Sequence, residues 1–238
     1  ADDPAGVAIA SRLNSEIRGT SQAIRNALDG QALIDTAEGG HKEVENILQR
    51  MREIAVQAAN DTNSSQDRAN LNEEMKALST EIDRIAAATS WAGKNLMNEG
   101  SSQFSFQVGT STNAESAITI SIGSMSATAL SLDHTSITVT SSENSRFAIS
   151  AIDQAITSVN SQRSMLGATS NRLNYAVNNL TNVSTNLVAA LGRIQDADYA
   201  AEITALAKHQ ILQKAAIAML AQANASKSYV LTLLRSLN

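Results

Sequence analysis

One apolar seam constrains this chain more than any other feature. Ile152, Ile156, Val159, Arg163, Leu166, Ser170, Leu173, Val177, Leu180, Ser184, Leu187, Leu191 and Ile194 follow one another at alternating spacings of four and three residues, without a slip. This is heptad spacing, and a seam kept over about six heptads needs partner helices along its whole length. At about 1.5 Å per residue, a helix from residue 146 to 191 would measure roughly 70 Å. A compact sphere has no room for it, whereas an elongated bundle does. Composition fits: 43% of the 238 residues are hydrophobic but only 3% aromatic, with one proline and no cysteine. Ala, Ile, Leu and Val must therefore fill the core, and ordinary globular chains use more proline and more rings.

The same composition excludes several functions. Without cysteine there is no disulfide framework, thiolate metal site or cysteine nucleophile. Its absence does not fix the compartment. A formal net charge of -5 lacks the basic stripe of a nucleic-acid binder. No run of about 18 apolar residues exists to form a membrane-spanning helix, and Ala1-Asp2-Asp3-Pro4 shows no signal-peptide pattern.

The seam has helical company. From Pro4 to about Ala59 the residues suit a helix, with Asp3 as N-cap and Pro4 in the first turn. Leu13, Ile17, Ile24 and Leu28 form one apolar set, and Val44, Ile47, Met51 and Ile54 a second, out of phase by about one residue. This predicts one long helix with a stutter or bend at Gly39-Gly40. The polar cluster Asn60 to Ser65 ends it. A second helix, about 66–89, carries Leu71, Met75, Leu78, Ile82 and Ile85 at 4-3 spacing and should return antiparallel.

The middle of the chain reads as strand. Phe104, Phe106 and Val108 alternate with polar residues, as do Ile118, Ile120 and Ile122, which predicts a β-hairpin over about 103–123. Ile137 and Val139 suggest a further strand. A lone hairpin is marginal in water, so this one should lie on the helices. From about Ala197 the chain is helical by propensity, but Gln210, Gln213 and Asn224 interrupt its stripe, so it needs a partner to be stable.

Chemistry-bearing constellations are absent from the sequence. His41, His134 and His209 fall in separate elements without ligand spacing, so no metal or cofactor is expected. Asp196 and Asp198 read as helix-start capping residues rather than catalytic ones. There is no phosphate loop, nucleophile elbow or dinucleotide fingerprint. Arg163 is the one charged intruder on the seam, best explained by a register-setting pair with an acidic residue of a neighbouring helix.

Several segments carry a resemblance. Ile47-Leu48-Gln49-Arg50-Met51-Arg52-Glu53-Ile54-Ala55-Val56-Gln57 resembles the signature segment of bacterial flagellin. So do Asp2 to Gly6, Ile17-Arg18-Gly19, Asn60 to Arg68, Glu81 to Ile85 and Phe104 to Gly109. Arg193 to Tyr199, Gln210 to Gln213, Leu220 to Asn224 and Leu233-Leu234-Arg235 complete the set, so that only residues 110–145 fall outside it.

The resemblance implies a mainly α fold: an elongated antiparallel long-helix bundle, a coiled-coil-like rod with a β-hairpin region. It implies a rod domain over residues 1–193, a short variable region over about 124–145 with no folded outer domain, and part of the inner filament core over 194–238. It implies a chain starting downstream of the family's first inner-core helix, so that the tail lies without its helical partner. The function implied is a structural, non-enzymatic subunit of the flagellar filament for swimming motility. The alternative is a flagellin-like cell-surface protein that binds a polysaccharide or host ligand. Implied partners are further flagellin subunits, an export chaperone, a cap and the host flagellin-sensing Toll-like receptor, with type III export to the cell exterior. By the same resemblance Leu48, Arg50, Glu53 and Glu74 face subunit packing or that receptor, while Ile203, Leu206, Ile217, Leu220, Leu231 and Leu234 serve inner-core assembly.

Overall fold

The computed structural model describes residues 4–98, 100, 102–196 and 199–235, with the backbone alone for 199–200, 226 and 228–235. The expected cap at Asp3, Asp198, and the side chains of Leu231 and Leu234 lie outside the described residues. The chain is mainly α: α1 (Pro4–Ala59), α2 (Ser65–Ala88), α3 (Ser142–Gln195) and α4 (Tyr199–Arg235). Among the described residues four short strands, β1 (Ser90–Trp91), β2 (Lys94–Asn95), β3 (Ser102–Gln107) and β4 (Ala117–Ile122), form two antiparallel two-stranded ribbons. Two compact units result: Ser11–Val188, and Ala1–Ala10 with Ala189–Asn238.

In the Ser11–Val188 unit, α1 and α3 run antiparallel. As α1 is followed back through Arg52, Glu45 and Gly30, its neighbours on α3 advance through Asp153, Arg163 and Leu173. α1 and α2 are likewise antiparallel: Arg50 meets Glu74, and Arg68 Nε donates to the Ala58 carbonyl at 2.9 Å. The short turn is locked by a capping box. The Asp67 N–H donates to Ser64 Oγ at 3.2 Å and the Ser64 N–H to Asp67 Oδ2 at 3.0 Å.

The expected stutter in α1 is not there. Its buried stripe is Thr20, Ala23, Ala27, Gly30, Ile34, Ala37, His41, Val44, Leu48, Met51, Ala55 and Ala58, stepping 3-4 throughout and straight past the glycine pair. Leu28, expected on the seam, is exposed, and Leu13, Ile17 and Ile24 are half-buried. Small residues hold the stripe because bulky groups come from outside: a Cβ on Gly30 would stand 3.0 Å from Phe106 Cγ and 3.2 Å from Leu173 Cδ1. In the signature segment the stripe passes through Leu48, and Ile47 is half-buried.

On α2 the fully buried stripe is Asn72, Met75, Ser79, Ile82 and Ala86, with Leu71, Leu78 and Ile85 half-buried beside it. On α3 the 4-3 seam is fully buried at Ile152, Val159, Leu166 and Leu173 and half-buried at Ile156, Arg163, Ser170, Val177, Leu180, Ser184, Leu187 and Leu191. Ala155 and Thr169 are buried beside it, and Ile194, expected on the seam, is exposed. Arg163 has the acidic partners expected of it, Glu38 and Glu45, both on α1.

The β3–β4 hairpin pairs Phe104 with Ile120 and Phe106 with Ile118, so that one face presents Phe104, Phe106, Ile118, Ile120 and Ile122 to the helices. The β1–β2 ribbon turns at Ala92 (φ 48°) and Gly93 (φ 79°), the two successive left-handed residues a tight hairpin turn demands. Ile137 and Val139 are buried but form no strand. The Val139 N–H donates to Asn72 Oδ1 at 3.0 Å, a side chain standing where a strand partner would be. The rest of residues 124–140 is strapped to α2 in the same way: Ser79 Oγ donates to the Leu132 carbonyl at 2.9 Å and the Ala127 N–H to Asp83 Oδ1 at 2.7 Å. Met125, Ala127, Leu132, Ile137 and Val139 of this segment are buried.

Candidate functional site

Two surfaces hold the residues singled out in the sequence. The first is the outward face of α1 opposite its buried stripe. Heptad packing turns Leu48, Met51 and Ile54 inward, which leaves Gln49, Arg50, Arg52, Glu53, Val56 and Gln57 outward. Arg50 bridges two helices: Nε and Nη2 donate to Glu74 Oε1 at 3.0 and 2.8 Å, and Nη1 to Glu53 Oε2 at 3.0 Å. These bonds, Glu74's first, raise the guanidinium pKa further. All three side chains are well exposed, so the network fixes their positions more than it stabilises the fold.

The structure joins Arg50, Glu53 and Glu74 but withdraws Leu48 from them. Leu48 is fully buried in the α1 stripe and offers no surface to a partner. One turn further on, Arg52 Nε donates to Asp153 Oδ1 of α3 at 2.7 Å. A shallow depression of about 520 Å³ is lined by Gln49, Arg52, Glu53, Val56 and Gln57. Val56, half exposed at its edge, was missed in the sequence, although its place three residues from Glu53 puts it on the same face.

The second surface is α4. Ile203, Leu206, Ile217 and Leu220 are all exposed, and so are Ile211, Leu212 and Met219, which the sequence reading passed over. Those three lie off the stripe that reading followed. A helix with apolar residues on every side belongs in the interior of a larger body. The missed signal was hydropathy spread all round the helix rather than along one line. Among the described residues no group of three or more His, Cys, Asp or Glu could hold a metal, and no helix is long and apolar enough to cross a membrane.

Comparison with known proteins finds both ends of the chain in one family. Residues 1–103 match the bacterial flagellin N-terminal helical region and residues 149–234 the bacterial flagellin C-terminal helical region. The chain is 43% identical over 234 residues to the flagellin of Halalkalibacterium halodurans, covering 98% of itself and 85% of that protein. It is 39% identical over 268 residues to the flagellin of Bacillus subtilis, covering 98% and 87%. Its fold is similar to the crystal structure of Bacillus cereus flagellin, with TM-score 0.55 and 28% identity over 70% of this chain and 94% of that one.

Proposed function

The chain belongs to the bacterial flagellin family and is a structural subunit of the flagellar filament; we propose that α4 and the Arg50 face of α1 carry the packing of one subunit on the next. The observation behind this is the exposure of Ile203, Leu206, Ile217 and Leu220 on a helix apolar all round. In water each such side chain forgoes a part of the about 1.5–3 kcal/mol that full burial is worth, a deficit that repeated association removes. Leu231 and Leu234 continue the series in sequence and are assigned the same role. Contacts that do not close on themselves generate a helical polymer.

The division of labour proposed is a helical domain over residues 1–193 and a filament-core segment over 194–238. Arg50, Glu53 and Glu74, without Leu48, form the surface for axial packing and for the host flagellin-sensing Toll-like receptor. Export by the type III route to the cell exterior, with a chaperone and a cap as partners, suits a chain with one proline and no cysteine, since both slow refolding steps are then minimal. No observation favours the ligand-capturing alternative, which is not proposed.

The test is electron microscopy of filaments from cells expressing the Ile217→Asp/Leu220→Asp double variant. Loss of filaments with unchanged monomer helicity and melting temperature is the expected result. Normal filaments would remove α4 from the assembly surface.

A further inference from the structure

The buried stripe of α1 and the 4-3 seam of α3 carry one ionisable residue each, the second partly exposed, and the two lie at the same level. On α1 it is His41, fully buried between Ala37 and Val44; on α3 it is Arg163, between Val159 and Leu166. Glu38 and Glu45 stand three residues before and four after His41, both beside Arg163. Arg163 Nε donates to Glu38 Oε1 at 2.8 Å, and Arg163 Nη1 donates to Glu45 Oε2.

His41 Nδ1 lies 2.7 Å from the Ala37 carbonyl, so the neutral ring keeps its proton on Nδ1 and donates there. That leaves Nε2 as an acceptor, buried and without a partner. Glu38 Oε2 is also buried without a hydrogen-bond partner. An acceptor lacking a donor therefore sits one helical turn from a carboxylate oxygen lacking a donor. One proton would serve both.

We propose that Glu38, His41, Glu45 and Arg163 form a proton-operated register latch between α1 and α3. With His41 neutral, both carboxylates serve Arg163 and pin the helices in register. A proton taken up from solvent at Nε2 makes His41 a donor that competes with Arg163 for Glu38. It also places a second cation beside the guanidinium. Arg163 is then held by Glu45 alone, and the seam loosens at this level.

The charged groups around His41 are Glu38 and Glu45 from its own helix and Arg163 from α3. The segment packed over Gly40 brings Thr89 and Met97, neither ionisable in this range. Burial, the largest influence, lowers the His41 pKa below its ordinary 6.5; the Ala37 bond and Glu38 oppose this, and Arg163 adds to it. The latch is thus shut at neutral pH and opens on acidification.

Two measurements on the full chain test the latch: the NMR titration of the His41 ring, and amide-exchange protection factors around residues 38–45 and 159–166 between pH 7.5 and 4.5. His41 should titrate below 6.5, and protection in both segments should fall by up to about tenfold per pH unit from 6.5 toward that midpoint and level off below it. His41→Gln should remove that fall. A His41 midpoint at or above 6.5, or a fall that persists in His41→Gln, overturns the proposal. If His41→Gln does not fold, a protection loss in the wild-type chain that falls outside the interval between pH 6.5 and the His41 midpoint overturns it equally.

Discussion

The buried stripe of α1 is one continuous 3-4 line, but its two halves are made of different residues. From Val44 to Ala58 it contains Leu48 and Met51, and Ile54 is buried beside it. From Thr20 to Ala37 it is mostly Thr, Ala and Gly, with Ile34 as its large member and Leu33 buried beside it. Both halves are equally shut off from water. In the first, α1 supplies the bulk; in the second, Phe106 of the hairpin and Leu173 of α3 supply it, and α1 supplies room. Burial along a helix is therefore set by who approaches it, not only by what it carries. Leu28 makes the point in reverse, being large, apolar and on the exposed side.

The largest expected effect separates the halves directly. Leu48→Ala removes bulk that α1 itself contributes at a site with no exposure. It should cost about 2–5 kcal/mol in urea unfolding. Leu28→Ala removes the same atoms from the exposed side and should change stability by less than about 0.5 kcal/mol. Similar losses at the two positions would mean that Leu28 is covered in solution and that exposure does not separate the two sides of α1.

The complementary change adds bulk where α1 provides room. Gly30→Leu must displace the Phe106 ring and Leu173 together, since even a Cβ there stands 3.0 Å from the ring. Overpacking of this kind costs about 1–3 kcal/mol, even though leucine favours helix far more than glycine does. The additional truncation Phe106→Ala should recover part of that loss, which urea unfolding of the double variant checks. No recovery would show that α3 alone sets the limit.

The contrast also explains what could be read in advance. The 4-3 seam of α3 is spelled in large aliphatic residues, and its face reads correctly as far as Leu173, down to Arg163 needing acidic partners. Ala155 and Thr169 are nonetheless more buried than Ile156 and Ser170, and Ile194 is exposed. The hairpin reads correctly too, because strand alternation leaves Phe104, Phe106, Ile118, Ile120 and Ile122 on one face. The Thr20–Ala37 stripe was illegible because alanine and glycine are as common on exposed helix faces as on buried ones. Following the visible Leu28 and Ile24 instead produced a phase error, and with it a stutter that the helix does not have. The same habit put Ile47 rather than Leu48 in the core, while the surface role of Leu48 came from the family resemblance and does not fit its full burial. Asn72 and Ser79 hid in the α2 stripe for a related reason. They are polar, and their burial makes sense only once Val139 and Leu132 of the 124–140 segment arrive to pair with them. For the surfaces, the charges of Arg50 and Glu53 could be placed from helical spacing and Glu74 from the family resemblance alone, whereas the all-round exposure of α4 could not be foreseen.

At the junction of the halves stands His41, and its expected effect is smaller and depends on pH. Its pKa in the folded chain is lowered chiefly by burial, so the unfolded chain binds the proton more readily. The associated stability is complete above the ordinary value of 6.5 and is lost as pH falls from there toward the folded midpoint. One such group contributes a slope of at most about 1.4 kcal/mol per pH unit. Urea midpoints measured between pH 7.5 and 5 should fall with that slope or less, and His41→Leu should flatten the curve in this window. A wild-type curve already flat there would mean that His41 protonates as easily folded as unfolded.

The smallest effect comes from the two glycines that first suggested a break. Gly39 lies on the exposed side, and a Cβ there would meet nothing within 4 Å. Gly40 faces the chain after α2, and a Cβ there would stand 2.6 Å from Met97 Sδ and 2.9 Å from Thr89 Oγ1. Gly39→Ala should stabilise by about 0.5–1 kcal/mol, the difference between alanine and glycine inside a helix. Gly40→Ala gains the same helix preference but must move two side chains, one of them the β-branched Thr89 with little freedom to turn. It should therefore be less stable than Gly39→Ala by a margin that thermal unfolding can resolve. If the glycine pair were instead a bend the fold requires, both alanines would destabilise. Stabilisation by Gly39→Ala alone would mean that the continuity of the stripe, and not the glycine pair, governs this part of α1.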